Sequence, residues 1–168
     1  MLATLEMRNK IFFSGLSVLV FVVLLTFGLG WGQEQGFKTD HELYQDVKLK
    51  LQQQNFRVAL PELVTLLRNH PDSYLLNWDY AFANAKSGDN AAASHYYTQI
   101  RLLRPAMVQN PLFLVEFAEV LYIQGEGEKA QAYLTRAKLV SNNDPEVSKE
   151  ADLLLGKITA SGAGQRGN

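Results

Sequence analysis

GDNAAASHYYTQIRLLRP, residues 88–105, carries the spacing that decides the fold. A Gly-Asp turn is followed by Ala93, by Tyr97 four residues on, by Ile100 and then by Pro105. The same offsets 34 residues earlier hold Ala59, Leu63, Leu66 and Pro71, and 37 residues later they hold Ala130, Leu134 and Ala137. An interval in the thirties marks a stack of helical hairpins, because one hairpin cannot bury its apolar face alone and must lean on a copy of itself. The expected fold is all-α, with repeats over residues 40–73, 74–107 and 111–144 and a capping helix over 145–158.

Each hairpin can be read from its punctuation. Leu43, Val47 and Leu51 recur every four residues, one face of a helix beginning near Asp40, where Thr39 and Glu42 suggest a capping box. Residues 52–55 make its turn. Ala59, Leu63, Leu66 and Leu67 mark a second helix that stops before Pro71, with Pro61 in its first turn, where a missing N–H breaks no bond. Ser73 can cap a third helix bearing Trp78, Ala81, Phe82 and Ala85. The fourth bears Ala93, Tyr96, Tyr97, Ile100 and Leu103 and ends at Pro105. Asn110 before Pro111 is a favoured cap and first-position pair. Leu114, Phe117, Ala118 and Leu121 line this fifth helix, and Ala130, Leu134 and Ala137 the sixth.

After Pro145, the stripe Val147, Ala151, Leu154, Leu155 and Ile158 gives a last helix that covers the open end of the stack. The tail 159–168, TASGAGQRGN, is small and polar and is expected to be disordered. Small side chains set the angle between paired helices. Ala81 and Ala118 are expected to meet Ala93 and Ala130, where a larger residue would overpack the crossing at roughly 1–3 kcal/mol. Gly88 and Gly125 fall where a helix ends in the left-handed conformation.

Ahead of this array, residues 11–31 (IFFSGLSVLVFVVLLTFGLGW) carry no charge over 21 positions. A helix of that length spans roughly 30 Å, the hydrocarbon thickness of a bilayer, and Trp31 suits its interfacial belt. The expectation is a single transmembrane helix, joined by a linker at 32–39. Cleavage near Gly30, releasing a secreted domain, is the other reading, against which stands an apolar run longer than that of a signal peptide. Arg8 and Lys10 precede the span and only Lys38 soon follows it, which places residues 1–10 in the cytoplasm and the helical domain outside.

With 16 basic and 17 acidic residues among 168, the net charge of -1 gives no reason to expect nucleic acid, and the basic residues are not clustered. The absence of cysteine excludes disulfides, thiolate metal sites and cysteine nucleophiles. His41, His70 and His95 are dispersed, and the pairs Glu116/Glu119 and Glu146/Glu150 have the spacing of solvated helix faces. The pieces GEG and SGAG lack the lysine and the strand–loop–helix context of a phosphate cradle. No catalytic constellation, metal or cofactor is expected, and the chain is read as a non-enzyme.

A small residue at position 8, glycine at 15, alanine at 20, an aromatic or leucine at 24, a small or aliphatic residue at 27 and proline at 32 resemble the tetratricopeptide repeat, counted from Asp40, Tyr74 and Pro111. The first copy departs from it, with Val47 at the small position and Asn55 near the glycine, and the third has Asn142 for proline. Three extra residues within 106–110 are expected to kink the joint between the second and third copies. The resemblance implies a right-handed α-solenoid whose first helices line a concave groove. Carried over by position, that groove holds Tyr44, Lys48, Leu75, Trp78, Phe82, Leu112, Val115, Glu119 and Tyr122.

The family's best-known groove grips a peptide carboxylate with lysine, asparagine and arginine, of which Lys48 alone has a counterpart here. This groove instead reads as aromatic and apolar, anchored by Trp78 and suited to a peptide. A small rotation of the third helix would make Trp78 and Phe82 ordinary core, and both readings stand at this point. The layout is similar to that of bacterial envelope proteins that assist assembly. The implied function is a membrane-tethered scaffold that binds a protein or peptide partner. A self-associating structural protein, its groove buried in a homo-oligomer, is the alternative, and an enzyme a remote one.

Overall fold

The computed structural model describes residues 39–141 and 144–165. The expected membrane helix, its flanks and its cleavage alternative lie outside these residues. Two compact units divide the chain, Met1–Leu43 and Tyr44–Asn168. Of the first, only the start of a helix is described. That helix, α1, is already formed at Thr39 and runs to residue 52, so Thr39 lies within it and not at the cap expected there.

Six further helices follow: α2 (Phe56–Asn69), α3 (Tyr74–Ser87), α4 (Asn90–Leu103), α5 (Pro111–Ile123), α6 (Gly127–Val140) and α7 (Pro145–Gln165). Consecutive helices pack on one another from α2 to α7, and α7 also touches α5. The caps are those read from the residues. Ser73 Oγ accepts from the Leu76 amide at 3.4 Å, and Asn110 Oδ1 from the Phe113 amide at 3.1 Å, with Pro111 at the first helical position. Asp89, read as part of a turn, also caps, accepting from Ala92 N at 3.0 Å.

The three hairpin turns are one structure repeated. Gly88 (φ 94°) and Gly125 (φ 82°) are left-handed, and Gln54 (φ 61°) is left-handed in the first hairpin. The same pair of bonds closes each turn: Gln54 N to Leu51 O and Asn55 N to Lys50 O; Gly88 N to Ala85 O and Asp89 N to Asn84 O; Gly125 N to Tyr122 O and Glu126 N to Leu121 O. These are Schellman-type closures that satisfy the last carbonyls of a helix. The glycine position of the first copy is therefore Gln54, one residue before Asn55, and a side chain sits where the fold asks for none.

At the crossings Ala59, Ala81, Ala93, Ala118 and Ala130 are all fully buried. Val47 is fully buried as well, so the first hairpin accommodates a larger residue at the place of Ala81 and Ala118. Most buried hydrophobic residues from Ala81 to Leu154 form one cluster, rich in aromatic rings. Tyr97 stacks on Phe117 with centroids 5.4 Å apart and meets Phe113 edge-on at 5.6 Å, and Phe117 lies 4.9 Å from Tyr133. Asn77, buried in α3, donates to the carbonyls of Pro71 (2.9 Å) and Ser73 (2.8 Å), pinning the bend between the first two hairpins.

Two stretches differ from expectation. Residues Pro105–Gln109, where a kink but no helix is expected from sequence, form a 3-10 helix whose Met107 plugs into the core at 5% exposure. The last helix continues past Ile158 to Gln165, with Thr159 and Ser161 hydroxyls donating to the carbonyls of Gly156 and Ile158. Once Val147, Ala151 and Leu154 anchor it, each further residue adds a bond at little entropic cost.

Candidate functional site

The first helices of the hairpins, α1, α3 and α5, are joined side by side through polar groups. From α1, the Tyr44 hydroxyl donates to Asp79 Oδ2 at 2.9 Å and Lys48 reaches Oδ1 at 3.4 Å. From α3, the Trp78 indole N–H donates to Glu116 Oε2 at 2.5 Å, and Lys86 pairs with Glu119 at 2.8 Å. Tyr97 of α4, fully buried, donates its hydroxyl to the same Oε2 of Glu116 at 3.0 Å. One carboxylate oxygen thus ties together α3, α4 and α5.

Burial dominates the electrostatics here. It pushes the Glu116 carboxyl up to about 7, and the nearby charge of Glu150 on α7 acts in the same direction, while the bonds from Trp78 and Tyr97 and the charge of Lys86 pull back. Burial, with the Glu116 charge, likewise holds the Tyr97 phenol well above its usual value. Burial and Asp79 do the same to Tyr44. Among the described residues no three His, Cys, Asp or Glu side chains are placed to hold a metal ion. The arrangement offers surface and fixed charge.

The groove residues expected from the repeat pattern divide into four sets. Leu75 (45% exposed) and Leu112 (42%) stand at the N-terminal ends of α3 and α5, open to solvent. Tyr44, Lys48, Glu119 and the half-buried Tyr122 are on hand, the first three engaged in the pairs above. Val115 is wholly buried and offers no surface. The reason is α5 itself, which packs against α4, α6 and α7 and buries seven of its residues, so little of its circumference is free.

Trp78 is half-buried: its ring meets Phe113 edge-on at 6.0 Å and packs on the core while its N–H serves Glu116. Phe82 lies edge-on to Phe56 at 5.5 Å with the Lys86 ammonium 5.7 Å above its ring. Both belong to the wall and its backing at once. Asp79, Tyr97 and Glu116 had not been placed at this site from sequence. A signal existed for the last: an indole N–H at least half-buried needs an acceptor, and Glu116 is one of only two charges in PLFLVEFAEVLYI.

No family model matches the chain, and no curated relative does. Solved structures do match it. The Yersinia enterocolitica type III secretion chaperone SycD, in complex with a peptide of the translocator YopD, is 20% identical with a TM-score of 0.63, over 74% of this chain and 95% of that one. The TPR2B domain of yeast Sti1, in a complex with Hsp70, is 17% identical with a TM-score of 0.61 over 73% and 97%. The first TPR of Spaghetti (RPAP3), bound to the HSP90 peptide SRMEEVD, is 16% identical with a TM-score of 0.62 over 74% and 93%. Chaperones and peptide-binding modules, then, are the company this backbone keeps, and the fold of the described residues is the tetratricopeptide-type helical array.

Proposed function

We propose that the chain is a scaffold that captures a protein or peptide partner on the face built by α1, α3 and α5. The observation that carries this is the pairing of two exposed leucines, Leu75 and Leu112, with a row of braced polar groups on neighbouring first helices. Large apolar side chains left open beside a rigid, hydrogen-bonded wall suit a docking surface. That the tetratricopeptide neighbours above hold peptides supports the same reading.

In this proposal the uncharged stretch 11–31 tethers the domain to a membrane, with residues 1–10 in the cytoplasm and the array outside, and the partner is an envelope protein being assembled or localised, as in bacterial layouts of this kind. Among the described residues no helix is long and apolar enough to cross a membrane. Protease access to intact cells tests the orientation: digestion of the array from outside is expected, and full protection overturns it. A photocrosslinker placed at 75 or 112 is expected to capture a partner that one at Leu102 or Leu139 does not. Equal capture from all four positions would sink the face assignment.

Self-association is the second reading, favoured by Leu102 and Leu139, which are 69% and 71% exposed at equivalent places on α4 and α6. Sedimentation of the full-length protein separates the two, since a monomer removes it.

A further inference from the structure

The charges on the first-helix face do not balance, and the imbalance has a sign. Both lysines there are occupied, Lys48 by Asp79 at 3.4 Å and Lys86 by Glu119 at 2.8 Å. Two carboxylates have no such partner: among the described residues no lysine or arginine lies within ion-pair distance of Glu116 or of Glu150. Trp78 and Tyr97 both bond to Oε2 of Glu116, and a carboxylate has a second oxygen to offer. Glu150 is exposed on α7, which packs against α5, the helix that carries Glu116.

The apolar part of the face lies beside this negative corner. Leu112 precedes Glu116 by four residues on α5 and Leu75 precedes Trp78 by three on α3, spacings that put each pair on one side of its helix. An acidic segment laid here would have to break two existing ion pairs or sit against Glu150 and against the Glu116 carboxyl, which burial holds partly protonated near neutrality and which an approaching cation would ionise. A cationic one meets them directly.

We propose that this face takes a peptide in which arginine or lysine alternates with leucine-like side chains, the cation meeting Glu116 and Glu150 and the apolar side chains meeting Leu75 and Leu112. The inference rests on the docking face proposed above and adds the chemistry of its occupant. It sets this chain apart from a groove that grips a terminal carboxylate, because the one lysine at a comparable place, Lys48, is already held by Asp79. Complementary charge of this kind sets partner choice more than total affinity and weakens as salt rises.

The test uses purified full-length protein and three labelled synthetic nonapeptides, of alternating Leu and Arg, Leu and Glu, and Ser and Arg, read by fluorescence anisotropy. The Leu/Arg peptide is expected to bind at least about tenfold more tightly than either other. Glu150→Gln, at an exposed position that leaves folding untouched, is expected to weaken it about threefold, an effect that fades in high salt. Joint Leu75→Ser and Leu112→Ser is expected to abolish it. Equal or tighter binding of the Leu/Glu peptide that still depends on the two leucines overturns the charge assignment and leaves the docking face standing. Leu/Arg binding indifferent to the two leucines overturns both, and absence of Leu/Arg binding overturns the inference.

Discussion

The first hairpin and the third are built on one plan, but only the third belongs to the continuous aromatic core. Leu114, Phe117, Ala118, Ala130, Leu134 and Ala137 of the third belong to the continuous aromatic-lined core. The buried residues of the first, Val47, Leu51, Ala59, Leu63 and Leu66, lie outside that cluster. Its links to the second hairpin include polar bonds: Tyr44 and Lys48 to Asp79, and Arg57 to the Ser87 carbonyl at 3.4 Å. Lys50, bridging Asp46 and Glu62, braces it internally. Polar bonds cross the joint between the second and third hairpins too, from Trp78 to Glu116 and Lys86 to Glu119, and Phe56 meets Phe82 across the first joint. The difference teaches that a repeat pattern prescribes the crossing and the turn, while the reach of the aromatic core is free to vary.

The sharpest way to break this comparison is to hollow out each side. Phe113→Ala removes a ring in contact with Trp78, Tyr97 and Phe117 and is expected to destabilise by about 3–5 kcal/mol. Leu51→Ala, at the 9% exposed edge of the first hairpin, is expected to fall at or below about 2 kcal/mol. Urea midpoints of the two variants decide it, and equal losses would mean that the hairpins are not held differently.

Acidity sharpens it next, because Glu116 is on the third hairpin's side. Its folded carboxyl keeps a proton up to about 7, whereas an unfolded one releases it near 4.5. The folded state therefore binds the extra proton between those values, and stability is expected to fall as pH rises through that window, by at most about 1.4 kcal/mol per unit. Melting temperatures from pH 5 to 8 check this. Glu116→Gln, which keeps an acceptor for Trp78 and Tyr97, is expected to flatten the slope, and an unchanged slope would place its origin elsewhere.

The smallest effect is the most diagnostic. Gly88→Ala forces a side chain into the left-handed turn at roughly 1 kcal/mol, whereas Gln54→Gly removes one and is expected to stabilise by about 0.5 kcal/mol. Opposite signs for substitutions at equivalent places are the expected outcome of paired thermal melts. Matching signs would undo the equivalence of the turns.

Much of this fold was legible because its rules are local. Ser73, Asn110, Gly88 and Gly125 announce helix ends through their own backbone preferences, and Ala93 and Ala130 announce a close crossing through their size. The site was less legible, since its contacts join residues 19 to 38 positions apart. Periodicity places Val115 on a groove side of α5 but says nothing about α7 closing over that helix. Nor does spacing reveal that Tyr97 and Trp78 share an oxygen. Gln54 was missed for another reason, as a residue type that rarely takes a positive φ hides a position that requires one.

The helices on either side of the 3-10 segment have lengths of 14, 14, 13 and 14 residues, so the three added residues of the long repeat went wholly into Pro105–Gln109. Met107 fastens that insert to the interior, which turns surplus chain into a wedge with a fixed seat. Length in this architecture is negotiable between hairpins and not within them, and the bridge before Pro111 is where a descendant of this chain could grow without losing its count.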